Sequence, residues 1–145
     1  MLVSRSTALV VLAAALMGAC GSASASDSAG SFPDAPLASL PTTTQLDVEL
    51  RSAPMQPPSR GANELELRVR DGAGAPRDGL TISVTPFMAA HGHGAPGVPV
   101  VTAEGGGRYV VSSLQLPMSG TWELRLVLRG EGGFEDHATT TIEVQ

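Results

Sequence analysis

The chain has very little of the chemistry that most enzymes and nucleic-acid binders need. Its 145 residues contain no lysine; all nine basic side chains are arginine. That excludes Schiff-base and phosphate-loop lysine chemistry. A single cysteine, Cys20, excludes an internal disulfide. Aromatics are scarce, at 3%. The formal net charge is -5 with no basic arm, so nucleic acid is not an expected partner. There is no Gly-x-Ser-x-Gly elbow, no His-Glu-x-x-His helix, and no carboxylate pair at general acid/base spacing. A non-enzymatic role follows as the expectation. No amphipathic helical period occurs beyond the first twenty residues.

What is abundant is turn chemistry. Seventeen glycines and eleven prolines punctuate short apolar-polar alternations, which favours strands over helices. The N-terminus reads differently. Arg5, an apolar run from Ala8 to Met17 and the small residues Gly18-Ala19 form a secretory signal at residues 1–19. The run is too short to remain as a membrane span. Leu16-Met17-Gly18-Ala19-Cys20 resembles the bacterial lipobox. That resemblance implies a diacylated Cys20 as mature N-terminus and an address in the cell envelope, facing the periplasm or exterior. Gly21 beside it points to the outer membrane in a Gram-negative host. Residues 20–41, rich in Ser, Ala, Gly and Pro, read as a flexible linker.

The domain is expected at 42–145. Leu46, Val48 and Leu50 alternate with Asp47, Glu49 and Arg51. Leu65, Leu67 and Val69 alternate with Glu64, Glu66, Arg68 and Arg70, whose charges read as a solvated face. Asp71-Gly72-Ala73-Gly74-Ala75-Pro76 is a turn and not a phosphate loop, since no helix follows. Leu80, Ile82 and Val84 mark a third strand, and residues 98–103 a fourth, closed by Gly105-Gly106-Gly107. Tyr109 and Val111 fall out of phase with Leu114 and Leu116, predicting a bulge or strand end at Ser112-Ser113. Trp122, Leu124, Leu126 and Leu128 form the next inner face, with Trp122 as core anchor. Residues 139–144 close the domain, and His137 follows Glu135-Asp136 in a solvated turn. About seven strands at this spacing predict an all-β, immunoglobulin-like antiparallel sandwich. A small closed barrel is the alternative.

The stretch Pro86-Phe87-Met88-Ala89-Ala90-His91-Gly92-His93-Gly94 carries the metal-binding chemistry. In an extended loop His91 and His93 point to one side, and Gly92 and Gly94 let the backbone close around an ion. Met88 lies upstream, and Met118 sits in the later turn Leu116-Pro117-Met118-Ser119-Gly120. Thioether with imidazole suits Cu(I); imidazole also suits Cu(II) or Zn(II). The structural alternative is that Met88 and Met118 fill core gaps and the histidines are solvated loop residues.

These motifs carry a family resemblance. Gly61-x-Asn63, Asp71-Gly72-x-Gly74-x-Pro76, the His-Gly-His-Gly stretch, Gly107-x-Tyr109-x-Val111 and Met118-Ser119-Gly120-x-Trp122-x-Leu124 follow in an order that resembles the YtkA-like domain. That family of small exported or lipid-anchored β-sandwiches is related to FixH-like proteins. The resemblance runs from about Asn63 to Val144. It implies an association with copper or respiratory-oxidase functions, with Met88, His91, His93, Met118 and Trp122 as the motif residues. Ala89-Ala90 stands where many members carry Pro-Ala or a further Met-Gly, which removes one candidate thioether. The expectation is a lipid-anchored domain that binds or hands over copper. The alternatives are a metal-free interaction module and an accessory domain of an envelope transport or oxidase complex.

Overall fold

The computed structural model describes residues 31–145. The signal segment 1–19, Cys20 and the first half of the expected linker, through residue 30, lie outside the described residues. Two antiparallel sheets face each other. The first has the order β1 (Ala38–Pro41), β2 (Asp47–Ala53), β3 (Gly61–Arg70), β7 (Arg108–Leu116), β6 (Val100–Gly105). The second has the order β5 (His93–Gly94), β4 (Thr81–Met88), β8 (Gly120–Arg129), β9 (Glu135–Val144). Without β1 and β5, the orders β2-β3-β7-β6 and β4-β8-β9 reproduce the two sheets of a constant-type immunoglobulin domain. The expected sandwich is present, and not the closed barrel.

The alternation in sequence explains the core. Val48 and Leu50, Leu65 to Val69, Ile82 and Val84, and Trp122 to Leu128 all turn their apolar members inward. Each fully buried leucine contributes about 2 kcal/mol of transfer free energy. The phase slip at Ser112-Ser113 is a bulge: Leu114 pairs with Asn63 and Val111 with Leu65, so two residues oppose Glu64. Ser113 takes φ 57 to do so, and both Val111 and Leu114 stay fully buried. Tyr109 is buried too; its hydroxyl donates to Arg77 O at 2.9 Å and accepts from Leu80 N–H at 3.2 Å. It thereby pins the β3–β4 crossover to the sheet.

Three boundaries differ from the sequence reading. The expected start at Thr42 moves upstream, because Ala38–Pro41 already pairs with Leu50 to Asp47. Of that strand only Leu40 is buried. The fourth strand runs Val100–Gly105 and not 98–103. The last strand begins at Glu135, four residues early, so Asp136 and His137 are in a strand and not in a turn. The reason is Asp136, which is fully buried on the inward face. Burial alone would push its carboxyl up, but the hydroxyls of Thr42, Thr44 and Thr43 and the His137 N–H hold it far below the usual carboxylate range. Thr43 and Thr44 donate at 2.7 Å each, Thr44 N–H adds a bond at 3.1 Å, and Thr42 Oγ1 donates as well. One carboxylate thus ties the entry to β2 to the outer strand of the opposite sheet.

This packing sets three expected outcomes. Asp136→Ala removes the acceptor of five donors and is expected to cost about 3 kcal/mol, read from the urea unfolding midpoint. The depressed carboxyl contributes stability that is complete above the unfolded value of about 3.9 and is lost as the pH falls below it. Stability of Asp136→Asn is therefore expected to fall less steeply with acid than that of the parent. Separately, a Cβ at Gly107, where φ is +73, would lie 2.4 Å from Val69 O. Gly107→Ala is expected to destabilise by about 3 kcal/mol, since backbone must move and a left-handed conformation is strained.

Candidate functional site

The His-Gly-His stretch is a tight hairpin and not the extended loop expected. β4 continues through Pro86, Phe87 and Met88, and the chain then reverses over residues 89–92. His91 N–H and Gly92 N–H both donate to Met88 O, at 3.1 and 2.9 Å. Gly92 takes φ +69, a left-handed conformation that favours glycine. His93 and Gly94 then pair back onto Met88 and Phe87. A Cβ on Gly94 would come 3.2 Å from Pro86 O, so the close return of the chain calls for a glycine there.

This hairpin sets the two imidazoles side by side on an exposed tip. Their ring centroids are 5.9 Å apart at 41°. His93 Nδ1 lies 2.9 Å from Gly94 O. A carbonyl only accepts, so Nδ1 is the donor in this contact. The same ring stands edge-on to Trp122 at 6.3 Å and 73°. Trp122 is fully buried, and its Nε1–H donates to Met118 O at 2.9 Å. Beneath the hairpin Met88 is 2% exposed. A Cβ on Gly120 would lie 3.5 Å from Met88 Cε. Met118 is half-buried and packs against the core. An open cleft of about 220 Å³ joins Met88 and His91 to Gly120, Thr121, Glu123 and Thr141.

All the singled-out residues therefore fall at one end of the sandwich, but in different roles. His91 and His93 are surface neighbours. Met88 is a core residue whose side chain reaches the cleft floor. Met118 is linked to the pair through the Trp122 indole. The strand periodicity marked Trp122 only as a core anchor; its place against His93 comes from the β4–β8 pairing, in which Phe87 meets Glu123. Glu123 and Thr141 as cleft walls carried no local signal. His137 is remote from this end and pairs with Glu135 on β9 at 3.1 Å.

The donor set can be tested against metal geometry. With a metal–nitrogen bond of about 2.0 Å, each ring centroid sits about 3.1 Å from a shared ion, so two ligating rings lie about 5 to 6.3 Å apart between tetrahedral and linear angles. The observed 5.9 Å falls inside that window. Among the described residues no group of three or more His, Cys, Asp or Glu could hold a metal ion. That departs from the closed His/Cys pattern of structural zinc.

The fold and this end together define a small immunoglobulin-type β-sandwich carrying a histidine hairpin. The chain belongs to the YtkA-like family, whose model matches residues 42–127. The match includes β2 through most of β8 and stops before β9, short of the Val144 limit expected. No curated protein matches the chain. Among solved structures it is similar to a DUF4426 family protein from Pseudomonas aeruginosa PAO1. That likeness is at 14% identity and a TM-score of 0.48, over 72% of this chain and 94% of the other.

Trp122 links the hairpin to the core, and its substitution separates the two roles. Trp122→Phe strands the Met118 carbonyl and is expected to cost about 2 kcal/mol in chemical unfolding. Trp122→Ala also opens a cavity and is expected to cost about 4 kcal/mol.

Proposed function

We propose that the chain is a lipid-anchored extracytoplasmic domain that binds copper through His91 and His93 and passes it on. The observation that carries this reading is the 5.9 Å separation of two exposed imidazoles on one hairpin, with His93 oriented by its Nδ1 contact to Gly94 O. Such a contact fixes a ligand's tautomer and ring direction. Met88 on the cleft floor and Met118 beyond the indole are the thioethers within the same end. Bound copper would supply a soft, exchangeable cation. The chain's own part is to present two imidazoles at a solvent-facing tip, where a partner can reach them. The role is binding and not catalysis. The lipobox-like segment ending at Cys20 supports an envelope address and a membrane contact through acylation.

A second reading is a metal-free interaction module in an envelope complex. It draws on β6, an edge strand beside Val98 at 82% and Val100 at 53% exposure. Such edges recruit partners by strand addition.

Titration of the full chain in detergent with Cu(I) and with Cu(II) tests the first reading. One equivalent is expected to bind, and to quench the fluorescence of Trp122, the single tryptophan. In His91→Ala/His93→Ala the affinity is expected to fall about a hundredfold. Equal binding by parent and double variant would remove the histidines from the site. Metal-independent capture of an envelope protein, lost on Val100→Lys, would favour the second reading.

A further inference from the structure

The end of the sandwich opposite the histidine hairpin holds a cluster that the copper reading does not use. On the outer face of the five-stranded sheet, Arg68 of β3 stands in register with Arg108 of β7. Like charges directly opposite each other destabilise a sheet unless something compensates them. The partial compensation is Glu66, which is 2% exposed. It accepts from Arg68 Nε at 2.8 Å and from Arg108 Nε at 2.5 Å. A third guanidinium, Arg51, is 3% exposed and places Nη1 3.8 Å from Glu66 Oε1. That Nη1 is a buried side-chain nitrogen with no hydrogen-bond partner. Arg51 also pairs with Glu49 at 3.0 Å and Arg70 reaches Glu49 at 3.4 Å, so four guanidiniums meet two carboxylates and the neighbourhood stays positive on a chain of formal charge -5.

The cluster opens onto a cleft of about 280 Å³ lined by Arg68, Arg70, Arg108, Pro76, Gly105 and Gly106. Its walls carry three arginines and no acid. The side chains of Arg68, Arg70 and Arg108 are 43%, 46% and 33% exposed. Glu66 meets Arg68 and Arg108 through Nε, so the Nη donors of each fork are not taken by it. Arg70 makes a long contact of 3.4 Å to Glu49. The other side of the cleft is braced. Gly105, Gly106 and Gly107 all take positive φ, and the Asp78 carboxylate accepts from Gly106 N–H at 3.1 Å and Gly107 N–H at 2.8 Å. The Asp78 carboxylate is therefore tied to backbone.

We propose that this arginine cleft is a binding site for a phosphate-type oxyanion, held by the forks of Arg68 and Arg108 and closed by Arg70. Arginine forks match tetrahedral oxyanions in bidentate geometry, and several together favour a multiply charged one. Glu66 acts as the positioning residue, buried beneath the two forks and fixing both through Nε. The bound group is either a free phosphate or a phosphate on a lipid headgroup, which share this chemistry.

The test is calorimetric titration of the full chain in neutral detergent with inorganic phosphate at low salt. Saturable binding of one equivalent is expected, weakened about tenfold in Arg70→Gln and in Arg68→Lys, which keeps the charge but loses the fork. Arg125→Gln, on the other sheet beside Glu123, is expected to bind as the parent does. Glu66→Gln is expected to weaken binding although it raises the positive charge, an outcome that simple charge attraction would not give. Repeating the titration in phosphatidylcholine and phosphatidylglycerol vesicles separates the sources. Competition by the anionic lipid alone assigns the cleft to a headgroup; unchanged binding in both assigns it to a free phosphate. No saturable binding by the parent, or equal binding by Arg70→Gln, Arg68→Lys and Arg125→Gln, would overturn the proposal. Because the histidine hairpin is at the far end, failure here would leave the copper titration untouched.

Discussion

The two sheets exist because each hides the other's apolar face. A strand of alternating residues can bury only one side, and with no helix among the described residues long enough to cover a sheet and no internal disulfide to staple it, the second sheet is the cover. The fully buried set spans both layers: Leu50, Leu65, Leu67 and Leu116 from one, Trp122, Leu124 and Leu128 from the other. Everything at the rims depends on that contact. The histidine hairpin is anchored through Met88, which belongs to this core and whose carbonyl closes the turn.

Where the sandwich must bury polar groups, it does so in two different ways. Asp136 is satisfied by donors alone: three threonine hydroxyls and two backbone N–H groups on a single carboxylate. A buried acid with that many donors is stable as the anion, since the hydrogen bonds outweigh the desolvation that opposes them. Glu66 is surrounded instead by guanidiniums, one of which keeps an unpartnered nitrogen. The first arrangement is closed and structural. The second is open on one side and retains donor capacity, which is why the two clusters carry different expectations.

Much of this fold is legible in the sequence because period-two alternation is a local property. The inner faces of β2, β3, β4 and β8 are readable residue by residue, and the bulge at Ser112-Ser113 shows as a one-residue phase slip. What escapes is set by distant contacts. Ala38–Pro41 buries one leucine among Pro and Ser, too little for a pattern, yet it completes the edge beside β2. The start of β9 is masked by an inward aspartate, whose partners lie 92 to 94 residues away at Thr42, Thr43 and Thr44. Glu66 and Arg68 read as a solvated face because the sequence cannot show that Arg51 and Arg108 flank them.

The histidine motif sits between these cases. Its residue types and glycines are visible, but the reason His91 and His93 come together is not side-chain alternation along an extended loop. It is a hairpin reversal at Gly92, which puts His91 on the turn and His93 on the returning strand. The distinction matters for function. An extended loop would need an ion to order it, and binding would cost conformational entropy. A hairpin whose turn is closed by two bonds to Met88 O and whose returning strand pairs with β4 holds the rings near each other beforehand. Preorganisation of that kind lowers the ordering cost of any ligand that meets both rings.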